Sequence, residues 1–149
     1  MSDIATNRKA RRDFHITEKF EAGMELKGSE VKSIRAGKVN IGESYARVDR
    51  GEVWLYQCDI RPYERASHEL HIPLRNRRLL LHKKEIRRMA DLSDQKGATL
   101  VPLRLYWRNG RVKIEIGIGS GKDQRDKRED LKRKAHEREV ERELARAHK

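Results

Sequence analysis

LRLYWRNGRVKIEIGI (residues 103–118) reads as two strands folded back on one another. Leu103, Leu105 and Trp107 alternate with polar or outward positions, Asn109-Gly110 follows, and Val112, Ile114, Ile116 and Ile118 alternate back. Period-two alternation lines up one apolar face, and Asn-Gly supplies the two positive φ angles of a type I′ hairpin turn. Outward from it, a second hairpin is predicted from Ser44–Val48, across Asp49-Arg50-Gly51-Glu52, into Val53–Ile60. A further strand or strand pair is predicted from Phe14 to Leu26, bent near Ala22-Gly23. Helices are fewer. Ser29 suits the N-cap of a short helix through Ala36, ended by Gly37. A second helix is expected from Lys83 to Met89 and on toward Lys96, closed by Gly97, with a long loop over Tyr63–Arg77. Short antiparallel strands with few helices imply a mainly β fold, an antiparallel β-barrel with short added helices.

The two ends differ from this body. Up to Gly119 there are 47 hydrophobic residues in 119, but from Ser120 onward only 6 in 30. Leu131, Ala135, Val140, Leu144 and Ala147 make a stripe too thin to hold a helix against a core. Helix propensity is nonetheless high, and Glu129–Arg133 and Asp130–Lys134 stand at supportive four-residue spacing. The tail, 120–149, is therefore expected to be disordered alone and helical on a partner. Residues 1–12 form a basic N-terminal arm with Arg8, Lys9, Arg11 and Arg12 and almost nothing to bury. The barrel domain spans 13–119.

The chain carries 36 Lys or Arg against 24 Asp or Glu, a net +12. The tail accounts for +3 of this, leaving the body +9 and basic in its own right. That field attracts polyanions, nucleic acid first. No apolar run approaches the ~18 residues needed to span a bilayer, and the N-terminus has no signal-like segment. No membrane partner and a cytoplasmic location are expected. Cys58 is the sole cysteine, so it forms no internal disulfide and reads as a buried, inert thiol. Without heptads or an obvious apolar patch, the chain is expected to be a monomer.

Catalytic patterns are missing from the sequence. His68 and His71 form the one close histidine pair, and without Cys or a third ligand they read as exposed loop residues rather than metal ligands. Gly117, Gly119, Gly121 and Lys122 superficially suggest a phosphate loop. That loop needs Gly where Ile116 stands and Ser or Thr where Asp123 stands. No Ser-His-Asp order or aspartate dyad stands out, so no enzyme activity, cofactor or metal is expected. What remains is electrostatics: Arg75-Asn76-Arg77-Arg78, Lys83-Lys84 and Arg87-Arg88 around Leu79-Leu80-Leu81 suit a phosphate-binding surface. Aromatics total eight, and most (Phe14, Tyr45, Trp54, Tyr56, Trp107) hold alternating strand positions that suit core packing. That scarcity favours recognition of a folded RNA by backbone and shape over base-by-base stacking.

Eight segments resemble the SsrA-binding protein family in order and spacing: NRKAR at 7–11, EAG at 21–23, GSEVKSIRAGK at 28–38, SYAR at 44–47, GEVWLY at 51–56, RRLLLH at 77–82, TLVPL at 99–103 and DKRED at 126–130. The resemblance implies an oligonucleotide-binding (OB-type) barrel that binds the tRNA-like domain of transfer-messenger RNA (tmRNA). It implies delivery of that RNA, with elongation factor Tu, to the A site of stalled ribosomes. It implies a C-terminal tail placed in the empty mRNA channel near the 16S rRNA decoding centre. Position by position it marks Asn7, Glu21 and Leu80 for RNA contact. Lys32 and Arg35, one turn apart on the short helix, can reach phosphates together, and Arg8 and Arg11 of the arm are expected to bind RNA as well. In the tail it marks Lys122, Arg125, Asp126, Lys127 and Arg128 for the decoding centre. Many family members carry His or an aromatic residue where this chain has Arg125, whose guanidinium also stacks. The competing classes are another structured-RNA-binding protein of the ribosome or its assembly, separable by RNA preference, and an RNA-processing enzyme, separable by turnover.

Overall fold

The computed structural model describes residues 3–62, 71–95, 97–121 and 124–147, with side chains from 132 to 146 in the last segment. In chain order the elements are β1 (Asp3–Thr6), α1 (Arg8–Asp13), β2 (Phe14–Met24), α2 (Gly28–Arg35), β3 (Val39–Asn40), β4 (Tyr45–Asp49), β5 (Glu52–Tyr56), β6 (Asp59–Ile60), β7 (Arg77–Leu80), α3 (Lys83–Ser93), β8 (Ala98–Arg108), β9 (Arg111–Gly121) and α4 (Gln124–Ala147).

The two hairpins form as their turns dictate. Asn109 (φ 51°) and Gly110 (φ 74°) join β8 to β9, and Arg50 (φ 53°) and Gly51 (φ 77°) join β4 to β5. Both pairs hold the two positive φ angles of a type I′ turn. Pairing runs β1-β8-β4-β5-β7-β2-β9, every ladder antiparallel, and β9 also pairs with β8. The fold is mainly β with short helices, as the alternation implied. β3 and β6 make a separate two-stranded sheet. No described helix is long and apolar enough to cross a membrane.

The core is built from the inward positions: Leu55, Leu79, Leu105, Ile114 and Ile116 are fully buried, with Met89 of α3 closing one side. A second, smaller cluster lies under α1, where Ala10 packs with Val101 and Leu103 against Phe14 and Ile16. This cluster explains the Ile116-Gly117-Ile118-Gly119 run. A Cβ at Gly117 would stand 2.9 Å from Ile16 Cγ2, and one at Gly119 would stand 3.0 Å from Phe14 Cβ. The glycines let β2 side chains lie across β9, and cradle no phosphate.

Several local expectations are corrected. The N-terminal arm is no free arm. Its β1 pairs with β8 at Arg104–Tyr106, and α1 packs by Ala10, because short apolar residues between the charges suffice for a thin layer. The short helix begins earlier than Ser29: Glu30 reaches back to accept from the Lys27 N–H at 2.8 Å, capping α2 at Lys27. Ser29 is instead buried beside His71 Nδ1 at 3.1 Å, and His71 Nε2 lies 2.7 Å from Ile60 O. His71 is thus a buried structural residue, while His68 lies outside the described residues. Among the described aromatics the buried ones are Phe20 and Tyr106. Tyr45 is exposed and stacks on Tyr56, while Phe14, Trp54 and Trp107 are half-buried. Their register places them at sheet ends and on the outer face, which alternation alone does not report. Cys58 is buried, and burial pushes its thiol up to about 11. In the tail, α4 runs from Gln124 to Ala147 with every described side chain exposed. Local propensity and charge spacing account for that helix, not burial.

Candidate nucleic-acid interface

The orientation of α2 is set by a buried ion cluster. Glu30 is fully buried; its Oε1 accepts from Arg75 and its Oε2 from Arg77 Nε, both at 2.6 Å. Arg77 is equally buried and donates to the carbonyls of Cys58 (2.7 Å), Arg75 (3.0 Å) and Pro73 (3.1 Å). Burial alone pushes the Glu30 carboxyl up; the hydrogen bonds from Arg75, Lys27 N–H and Arg77 outweigh it and leave it below its ordinary value. The cluster ties α2 to Cys58 just before β6, to β7 and to the segment before β7. Lys32 and Arg35 are left facing solvent.

Arg35 reaches over the β8–β9 hairpin, its Cζ 5.6 Å from the Trp107 ring centroid. Trp107 pairs with Val112 near the turn, and Arg108, Arg111 and Lys113 crowd the same end. Glu21 stands opposite Glu115 on β9. Its Oε2 accepts from the Tyr106 hydroxyl at 2.6 Å and from Arg108 at 2.8 Å. The Tyr106 hydrogen bond, with Arg108 and Lys113, holds the Glu21 carboxyl below its ordinary value against a smaller opposing push from burial. Burial and the Glu21 carboxylate push the Tyr106 phenol up to about 12. Leu80 pairs with Gly23 two residues beyond Glu21 and is 46 % exposed, so core packing is not its use.

Leu80 and Trp107 therefore share one hollow with Arg111 and Lys113. Arg35 lies over Trp107 with Lys32 on the same helix, and Glu21 is held at Arg108 two residues before Gly23, the partner of Leu80. Trp107, Arg108, Arg111 and Lys113 belong to this surface and were not singled out by sequence. Their signal was three cations within three residues of an Asn-Gly turn. Asn7, Arg8 and Arg11 lie at the other end of β2. Asn7 is buried as the N-cap of α1: Oδ1 accepts from Ala10 N–H at 3.2 Å, Nδ2 donates to Pro102 O at 2.9 Å. Its amide is used within the fold, and its effect is to place the exposed Arg8 and Arg11. The basic clusters around the Leu trio divide as well. Arg75 and Arg77 serve Glu30, Arg78 pairs with Glu25 at 2.8 Å and Arg88 with Glu18 at 2.6 Å; Lys83, Lys84 and Arg87 are exposed. Arg125, Asp126, Lys127 and Arg128 fall on α4, but their side chains, and all of Lys122, lie outside the described residues. Among the described residues no cluster of His, Cys, Asp and Glu is arranged to hold a metal ion.

A basic β fold of this layout has close relatives. An SsrA-binding protein of Geobacillus thermodenitrificans is 51% identical over 139 residues, 93% of this chain and 90% of the relative. That of Bacillus subtilis is 50% identical over 139 residues, 93% and 89% of the two chains. That of Carboxydothermus hydrogenoformans is 51% identical over 141 residues, 95% of each. A solved structure described as "tmRNA-SmpB: a journey to the center of the bacterial ribosome" superposes with a TM-score of 0.67 at 46% identity, covering 85% of this chain and 92% of the other. The family model described as SmpB protein matches residues 4–146, reaching from the first paired strand to the last turn of α4. The segments that build the surface, from EAG through GSEVKSIRAGK to RRLLLH, lie within that match, and the chain belongs to the SmpB protein family.

Proposed function

We propose that this chain acts as an SsrA-binding protein in the rescue of stalled ribosomes, binding the tRNA-like domain of tmRNA and accompanying it to the ribosomal A site with elongation factor Tu. The observation that carries the reading is the cationic end of the β8–β9 hairpin, where Leu80 and Trp107 share a hollow with Arg111 and Lys113, Arg35 lies over Trp107 and Arg108 holds Glu21. Phosphates suit Lys32, Arg35, Arg111 and Lys113, while the Glu21 carboxylate accepts from ribose hydroxyls or base amino groups. Arg8 and Arg11, placed by Asn7, extend the contact along the duplex backbone. The ring of ladders from β8 round to β9 supports an OB-type barrel for the body, residues 13–119, although β4 and β8 share only the Ala46–Leu100 pair. Residues 120–149 enter the empty mRNA channel, where Lys122, Arg125, Asp126, Lys127 and Arg128 meet 16S rRNA near the decoding centre. The protein performs no covalent chemistry and works as a cytoplasmic monomer.

The test is recovery of RNA on the full chain from a bacterial lysate, followed by sequencing. tmRNA as the dominant species supports the reading. Dominance of rRNA fragments favours a ribosomal or assembly protein and overturns it.

A further inference from the structure

Two carboxylates stand directly opposite each other on neighbouring strands, Glu21 on β2 and Glu115 on β9. Like charges in that relation repel, and each carboxylate has its own donors. Glu21 accepts from the Tyr106 hydroxyl at 2.6 Å and from Arg108 at 2.8 Å. Glu115 accepts from Arg104 Nε and Nη2, both at 3.4 Å, and lies 4.0 Å from Lys19 Nζ. Arg104 makes two further contacts. Its Nη1 donates to Asp3 Oδ1 at 2.7 Å, and its Cζ lies 4.2 Å from the centroid of the Tyr106 ring. Alternation puts Tyr106 on the same face of β8 as Arg104 and Arg108, yet it is only 2 % exposed, and the Arg104 guanidinium is part of its cover. The strand that supplies Asp3 is itself registered on the phenol, since Asp3 is the backbone partner of Tyr106.

Arg104 is poorly placed to be a phosphate partner. Its side chain is 23 % exposed, and the two carboxylates on it, Asp3 and Glu115, leave it no net charge to offer a polyanion. What it does offer is a flat cation laid across an aromatic ring, which fixes that ring in place. We infer that Asp3 and Arg104 are positioning residues for the RNA site: β1 lays Arg104 across Tyr106, and the ring so fixed keeps its hydroxyl on Glu21. The inference rests on the RNA-binding reading above and adds the N-terminal strand to the elements that build the site. Asp3 acts through two other side chains and touches no RNA. Its charge has the wrong sign for a direct contact with phosphate, so any contribution it makes to binding is positional.

The experiment measures tmRNA affinity, its salt dependence and the NMR titration of the Glu21 carboxyl in the full chain, for Asp3→Ala and Arg104→Gln. Asp3→Ala is also combined with Tyr106→Phe. Removing an acidic residue from a protein that binds a polyanion strengthens binding where charge alone matters. Positioning gives the reverse: Asp3→Ala and Arg104→Gln each weaken binding by about threefold, the scale of coupling between neighbouring side chains. The slope of log K against log salt keeps its wild-type value in both. In the protein without RNA, the Glu21 carboxyl titrates closer to its ordinary value in both. On a Tyr106→Phe background Asp3→Ala weakens binding no further, because the hydroxyl it positions is gone. Tighter binding by Asp3→Ala, or a slope lowered by about one unit in Arg104→Gln, makes Arg104 a phosphate partner and overturns the inference. A Glu21 titration that neither change moves also overturns it, as does a loss that persists on Tyr106→Phe. The titration needs no RNA and decides the positioning by itself, whereas failure of the wild-type chain to retain tmRNA overturns the RNA-binding reading.

Discussion

Tyr106 donates its hydroxyl proton to Glu21 Oε2 across 2.6 Å, so a buried phenol holds a surface carboxylate in one orientation. Tyr106→Phe removes that bond and leaves Arg108 as the donor to Glu21 Oε2. The Glu21 carboxyl then rises toward its ordinary value, measurable by NMR titration, and tmRNA affinity falls by about three- to tenfold for one lost charge-assisted hydrogen bond. The sign for stability follows: a depressed carboxyl contributes fully above its ordinary value of 4.5 and loses that contribution as pH falls through the depressed folded value. In Tyr106→Phe, acid denaturation profiles lose part of this dependence below pH 4.5.

Breaking the buried Glu30–Arg77 pair unfolds the protein more readily than any surface change. Arg77→Met leaves the fully buried Glu30 with Arg75 as its remaining guanidinium partner, at a cost of about 3–5 kcal/mol. Thermal melting should drop by roughly 10 °C or more for a chain of this size. A melting temperature unchanged within error contradicts the account of how α2 is held.

Salt dependence separates phosphate contacts from the carboxylate. Lys32→Ala and Arg35→Ala each lower the slope of log K against log salt by up to about one unit. Glu21→Gln weakens binding and leaves the slope unchanged, since a carboxylate neutralises no phosphate. Equal loss of slope from all three means Glu21 acts only through its cation neighbours.

Ending the chain after Gly121 keeps β9 whole, because Phe14 pairs with Gly121 and His15 with Ser120. Melting temperature and tmRNA affinity stay near wild type, and peptide tagging on stalled ribosomes collapses. Changing Asp126, Lys127 and Arg128 together to Ala reproduces much of the collapse, whereas changing Glu139 and Glu143, both exposed on α4, matters less. A truncated chain that still supports tagging, or no longer binds RNA, defeats this division of labour.

Gly117→Ala forces a methyl to within 2.9 Å of Ile16 Cγ2 and 3.0 Å of Leu103 Cδ1. The clash costs about 1–3 kcal/mol. Ile16→Ala added to it destabilises by less than the sum of the two single changes, read by denaturant unfolding.

The hairpin at 103–118 was legible because alternation and turn chemistry are both local and agree with each other. The same holds for Arg50-Gly51, where the chain itself dictates the reversal. Arg77 was not legible: its burial depends on carbonyls of Cys58, Arg75 and Pro73 and on a carboxylate 47 positions away, none of which a basic run advertises. For the same reason a stretch rich in Arg was read as a phosphate surface when half of it serves internal carboxylates. Family resemblance singled out Glu21 and Leu80, but only the strand register brings Leu80 beside Trp107 and Glu21 to Tyr106 and Arg108. Asn7 shows the opposite limit, since a marked position proved to have both amide atoms used inside the fold.

The ladders that complete the sheet join opposite ends of the chain: Thr6 pairs with Arg104, and Phe14 with Gly121. During synthesis β1 and β2 leave the ribosome first. β7 reaches the end of β2 once Leu80 is made, but β8 for β1 and the end of β9 for the start of β2 arrive about a hundred residues later. The helices and the β4–β5 hairpin form from local contacts as they emerge, while the two N-terminal strands wait with unpaired edges. Residues 3–24 carry a large share of charged side chains through that interval, which keeps the waiting edges apart from one another and from other nascent chains. Charge on an unpaired strand edge disfavours pairing with another edge, so the same Lys, Arg and Glu limit association of this segment until β8 and β9 are made.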